Sequence, residues 1–152
     1  MNAQLALSPA RQKAAEALLE GLSVGGVLVL LGGAGTGKTA ILRHIHALRG
    51  GALVGVREFV ESLLARGPGA VEEAFLRTVE DAMHAHDLVL VDDLHLVTYI
   101  VNRYTYARKY LLEAALTALL AEACALRKTI LFTASGELPW PVARRAYTFE
   151  IG

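Results

Sequence analysis

Gly32-Gly33-Ala34-Gly35-Thr36-Gly37-Lys38-Thr39 has the form G-x-x-x-x-G-K-T, and its flanks decide the fold. An apolar run, Val27-Leu28-Val29-Leu30-Leu31, precedes it, and a helical run, Ala40-Ile41-Leu42-Arg43-His44-Ile45, follows. Strand, glycine-rich loop and helix in that order are the setting of a phosphate-binding P-loop. Glycines let backbone N–H groups curl around phosphate oxygens with no Cβ in the way. The helix beyond turns its positive end to the same oxygens. Gly33, Ala34, Gly35, Thr36, Gly37, Lys38, Thr39 and Ala40 are the expected cradle. Lys38 is expected to reach the β- and γ-phosphates, and the Thr39 hydroxyl to hold Mg²⁺. The bland alternative is a glycine-rich turn that binds nothing. Four glycines, the Gly-Lys-Thr ending and the flanks weigh against it.

A second apolar run, Leu88-Val89-Leu90-Val91, ends in Asp92-Asp93. A buried strand of this kind delivers a carboxylate to the Mg²⁺ side of a nucleotide's phosphates. Asp92 is the expected Mg²⁺ partner, through water. Asp93 is then placed to orient or deprotonate an attacking water. On its own the pattern also fits a helix cap after a strand; the upstream P-loop favours the functional reading. Thr133 and Ser135 close the run Thr129-Ile130-Leu131-Phe132. A hydroxyl there is suited to touch the γ-phosphate or the water; Ser135 is the preferred candidate, with an ordinary turn serine as the equal alternative. Arg144-Arg145 precede a last strand, Tyr147 to Ile151. They fit an arginine finger aimed at a neighbouring subunit, or a solvated basic pair at a helix end.

Between these landmarks, Ser8 predicts an N-cap and Pro9 the first position of a helix running through Glu20, ended by Gly21 and Gly25-Gly26. Residues 52–56 predict a short second strand, and 58–65 a helix. Val71, Phe75, Val79 and Met83 mark a helix over 71–86. Residues 97–107 are ambiguous. Lys109 to Leu126 predicts a helix with Leu112, Ala115, Leu116, Leu119 and Ala123 inward. Strands alternating with helices predict an α/β fold in three layers, a parallel five-stranded sheet flanked by helices. The chain reads as one domain over 1–152, with an N-terminal helix and linker (1–25) and a sheet core (26–152).

The 152 residues are 54% hydrophobic and 20% charged with zero formal net charge. A globular domain follows, without a global electrostatic case for nucleic acid or an anionic membrane. No apolar stretch approaches the ~20 residues that span a bilayer, and Met1 to Ser8 lacks a signal-peptide pattern. A soluble cytoplasmic protein with no membrane partner is expected. The single Cys124 sits among alanines and leucines, is expected to be a small buried hydrophobe, and fits a reducing compartment.

Together these pieces resemble the AAA+ ATPases, most closely the bacterial replication-initiator and helicase-loader branch. Val56-Arg57-Glu58-Phe59-Val60, Leu90-Val91-Asp92-Asp93-Leu94-His95 and Lys128-Thr129-Ile130-Leu131-Phe132-Thr133-Ala134-Ser135 carry the likeness, which covers about residues 8–151. It implies a Walker A motif at Gly32–Thr39, a Walker B motif at Leu88–Asp93, sensor 1 at Ser135 and an arginine finger at Arg144 or Arg145. It implies ATP or ADP with Mg²⁺, and self-association or an ATPase or other protein partner. The sequence departs from the family in stopping at Gly152, before the helical lid, and in having Asp93 where Glu is usual, which implies slower hydrolysis. No aromatic–apolar–Gly pore loop is evident after the second strand.

Tyr99 to Tyr110 holds four tyrosines (Tyr99, Tyr104, Tyr106 and Tyr110), three basic residues (Arg103, Arg108 and Lys109) and no acid. It suits a protein interface, packing on the sheet, or, ranked last, single-stranded nucleic acid. His44, His46, His84, His86 and His95 show no metal-binding spacing. Two functions compete: an Mg²⁺-dependent ATPase driving conformational change in an oligomer, and a nucleotide-dependent scaffold with negligible turnover alone. A small-molecule kinase fits less well for want of an Arg-rich lid, and a GTPase for want of an Asn-Lys-x-Asp motif.

Overall fold

The apolar runs become the strands of one parallel sheet. The computed structural model describes residues 7–33, 35–55, 57, 61, 65, 71–92, 109–136 and 138–151. Its strands are β1 (Gly26–Leu31), β2 (Ala52–Val54), β3 (Leu88–Val91), β4 (Thr129–Ala134) and β5 (Tyr147–Glu150). Its helices are α1 (Pro9–Val24), α2 (Lys38–Arg49), α3 (Val71–Ala85), α4 (Lys109–Ala125) and α5 (Trp140–Arg145). The sheet order is β2-β3-β4-β1-β5. The register pairs Gly26 with Thr129 and Leu31 with Ala134, and Val91 with Phe132. The carboxyl ends of β3, β4 and β1 therefore lie side by side.

Both faces of the sheet are covered, which is why its central strands are continuously apolar. Leu28, Leu30, Leu90 and Leu131 pack against Leu18 of α1 and Ile41, Leu42 and Ile45 of α2. On the other face, Val29, Val91 and Phe132 meet Phe75, Val79 and Met83 of α3 and Leu116 and Leu120 of α4. Leu28 and Leu30 are fully buried, and each such side chain contributes about 1.5–3 kcal/mol. Among the described residues, no helix is long and apolar enough to cross a membrane.

Three expectations need correction. Gly21 does not stop α1, which runs on to Val24 and ends at Gly25, with φ of 82°. Gly21 is there for close approach: a Cβ would lie 2.8 Å from Leu28 Cδ2 and 2.9 Å from Phe149 Cζ. Cys124 is exposed, not buried. The inward face of α4 is Leu116, Leu119, Leu120 and Ala123, and the next residue is turned away from it. Strand β2 is shorter than predicted, stopping at Val54. The helix expected over 58–65 falls mostly, and residues 97–107 fall wholly, outside the described residues.

Candidate functional site

Strand β1 carries the chain straight into the phosphate loop. The Gly32 N–H extends the ladder to the Ala134 carbonyl at 3.2 Å. Thr36 then closes the turn, its N–H and hydroxyl both donating to the Gly33 carbonyl, at 3.3 and 2.8 Å. Gly35 and Gly37 adopt φ of 78° and 94°, the left-handed region in which a side chain is strained. Gly37 also caps α2 without a side chain, leaving the first-turn N–H groups for an external acceptor. Lys38 is buried, and its ammonium donates to the carbonyls of Gly32 at 2.6 Å and Gly33 at 2.9 Å.

The acidic half of the site comes from β3. The Asp92 N–H donates to the Val54 carbonyl at 2.8 Å, continuing the β2–β3 ladder and holding the residue at the strand tip. One carboxylate oxygen accepts the Thr39 hydroxyl at 2.8 Å, and the other accepts the Thr133 hydroxyl at 2.5 Å. Sequence elements far apart thus converge on one carboxylate: the first turn of α2, the end of β3 and the end of β4. A hydroxyl and a carboxylate in contact are hard oxygen donors suited to Mg²⁺. Loop, lysine, threonine and aspartate thus meet at one edge of the sheet.

Not every expected residue joins this cluster. The hydroxyl on Asp92 belongs to Thr133, whereas Ser135, the preferred candidate, lines a groove of about 300 Å³ with Gly32, Gly33, Glu150 and Ile151. Ser135 is therefore beside the start of the loop. Arg144 and Arg145 are exposed in the last turn of α5, with the Arg144 guanidinium 5.5 Å from the centre of the Trp140 ring. They precede β5, which begins opposite Leu28, three residues before the end of β1. Ala34, Asp93, His95 and residues 99–108 lie outside the described residues.

Sequence reasoning passed over Arg11. Its Nε–H, on the first turn of α1, donates to the Thr36 carbonyl in the middle of the phosphate loop at 2.8 Å. The Ser8-Pro9 start signal located the helix, but spacing alone does not show which loop its first turn meets.

No protein-family model matches this sequence, and no curated protein sequence matches it. Solved structures do match. One is a DNA replication initiation factor, with TM-score 0.59 and 17% identity over 97% of this chain and 48% of that one. Another is a replication initiator DnaA bound to AMPPCP and single-stranded DNA, with TM-score 0.58 and 16% identity over 96% of this chain and 48% of that one. A third is domain III of the Thermotoga maritima replication initiation protein DnaA, with TM-score 0.57 and 17% identity over 98% of this chain and 65% of that one. The chain spans about half the length of the first two and just under two thirds of the third. At these identities the likeness is one of fold: a five-stranded parallel sheet flanked by helices, shared with these replication-initiator structures.

Proposed function

We propose that this domain binds Mg²⁺-ATP at the phosphate loop, hydrolyses it, and uses the nucleotide state to drive assembly or remodelling of a partner. The observation that carries the reading is the convergence of Lys38, Thr39, Asp92 and Thr133 at three adjacent strand ends. Lys38 would exchange the carbonyls of Gly32 and Gly33 for phosphate oxygens. Thr39 and Asp92 would hold Mg²⁺, which supplies charge neutralisation at the β- and γ-phosphates. Thr133 orients Asp92. Asp93, next along the chain, is assigned the attacking water, and Ser135 the γ-phosphate side of the site.

Arg144 and Arg145 are assigned to the nucleotide of a second subunit, since they are exposed and precede β5. Adenine nucleotide is favoured by the fold shared with an initiator bound to AMPPCP. The partner is assigned as a second copy or another protein; single-stranded DNA, bound by that same initiator, ranks after it. We treat 1–152 as one domain and place it in the cytoplasm, in keeping with its single unpaired cysteine.

The test is Mg²⁺-ATP hydrolysis per subunit across a dilution series, with Lys38→Ala as the blank. Specific activity that rises with concentration supports an ATPase completed in trans. Flat, weak turnover with Lys38-dependent binding supports a nucleotide-dependent scaffold instead. Calorimetry showing no Lys38-dependent affinity for any nucleotide would sink both.

A further inference from the structure

We propose that Arg11 is a positioning residue for phosphate binding, one that sets the direction of the Gly37 N–H through the Thr36–Gly37 peptide; this rests on the nucleotide reading above. A trans peptide points its C=O and N–H in opposite directions, and the described chain contains no cis peptide. Arg11 Nε–H holds the Thr36 carbonyl at 2.8 Å. The Gly37 N–H on the same peptide plane is thereby turned away from Arg11. Gly37 is the cap of α2, where the loop's phosphate-facing donors begin.

The seat of the guanidinium supports the same role. A Cβ at Gly37 would overlap Arg11 Nε and Cζ and come within 2.8 Å of Nη2. The guanidinium therefore packs against the bare Cα of Gly37. Glycine is required there twice, by its φ of 94° and by the arginine beside it. Arg11 is itself anchored. Its own N–H donates to the Ser8 hydroxyl at 3.4 Å, and α1 is pinned to the core through Ala15 and Leu18. A fixed positive charge beside the loop also favours an arriving polyanion.

This arrangement ties α1 mechanically to the phosphate loop. Lysine at this position keeps the charge but lacks the rigid planar fork, so it restores the field without the fixed geometry.

The experiment uses the full chain with Arg11→Ala and Arg11→Lys, and titrates ATP, ADP and adenosine. For Arg11→Ala, ATP and ADP affinity should fall about tenfold, adenosine affinity should hold, and the nucleotide-free melting temperature should stay put. Arg11→Lys should fall between wild type and Arg11→Ala. ATP affinity within twofold of wild type, or a parallel loss for adenosine, overturns the proposal. Amide exchange of the nucleotide-free chain gives a second readout. Faster exchange at Gly37 and Lys38, with β1 unaffected, supports the positioning role; unchanged exchange there overturns it. If wild type binds no nucleotide, the functional reading fails separately, and the exchange result still decides what Arg11 does to the loop.

Discussion

Thr133 and Asp92 meet across the β3–β4 pair because the register that places Val91 beside Phe132 puts the next residues, an acid and a hydroxyl, side by side at the sheet's carboxyl edge. Thr133 is fully buried, and its hydroxyl donates to that carboxylate. Thr133→Val keeps the shape and deletes the bond. A hydrogen bond to a charged group is worth about 1.5–3 kcal/mol. ATP turnover should fall about tenfold or more while nucleotide affinity changes little. Steady-state kinetics beside calorimetry check this; an unchanged kcat would remove Thr133 from the mechanism.

Lys38→Ala removes two hydrogen bonds to loop carbonyls and the charge meant for phosphate. ATP and ADP affinity should drop by about a hundredfold or more, in line with the loss of a buried charged contact. The melting temperature without nucleotide should move by no more than a few degrees, because the bonds are local to the loop. Loss of fold would instead make Lys38 a structural residue.

Gly50 and Gly51 form the turn between α2 and β2, with φ of 70° and 90°. They should respond differently to alanine. Nothing lies within 4 Å of a Cβ at Gly50, so only the backbone cost of its φ of 70° and ψ of −144° applies, about 1–3 kcal/mol. A Cβ at Gly51 would overlap the backbone carbonyl of Leu88, which cannot swing aside without moving β3. Gly51→Ala should destabilise by about 3 kcal/mol or more. Urea unfolding of the two variants measures the difference, and equal losses would contradict it.

Lys128 donates to Asp87 at 2.9 Å, and this bond and its charge hold the Asp87 carboxyl below the usual carboxylate range. A carboxylate depressed in the folded state contributes stability above its unfolded pKa, and that contribution is lost as pH falls through the lower folded value. Lys128→Met should therefore raise the Asp87 pKa toward the ordinary range. The stability gap between variant and wild type should be present at about pH 6 and close near about pH 2. Asp87 is solvent-exposed, so the gap should also shrink with salt. A carbon-detected carboxyl titration by NMR is the direct check.

The central strands were legible because continuous apolar runs have few alternatives to a sheet covered on both faces. The loop and Asp92 were legible because glycine, lysine and acid are tied to their chemistry at fixed spacing. What stayed hidden was contact between elements. Thr133 and Ser135 were equal as residue types, and only the register of β4 against β3 selects Thr133 for Asp92. Arg11 is one exposed-looking cation among many until the packing of α1 brings it to Thr36. Gly21 reads as a helix stop, yet the space taken by Leu28 and Phe149 explains it.

Lys38 already gives two of its ammonium's donors to the Gly32 and Gly33 carbonyls, while its charge remains. An arriving anion must outbid two internal acceptors and gains only the difference. A small oxyanion that engages the ammonium alone gains little from the exchange. A polyphosphate that also reached the backbone donors and, through a bound Mg²⁺, the Thr39–Asp92 pair would gain more. If the loop binds nucleotide as proposed, those two internal bonds would weigh against free phosphate and in favour of a polyphosphate.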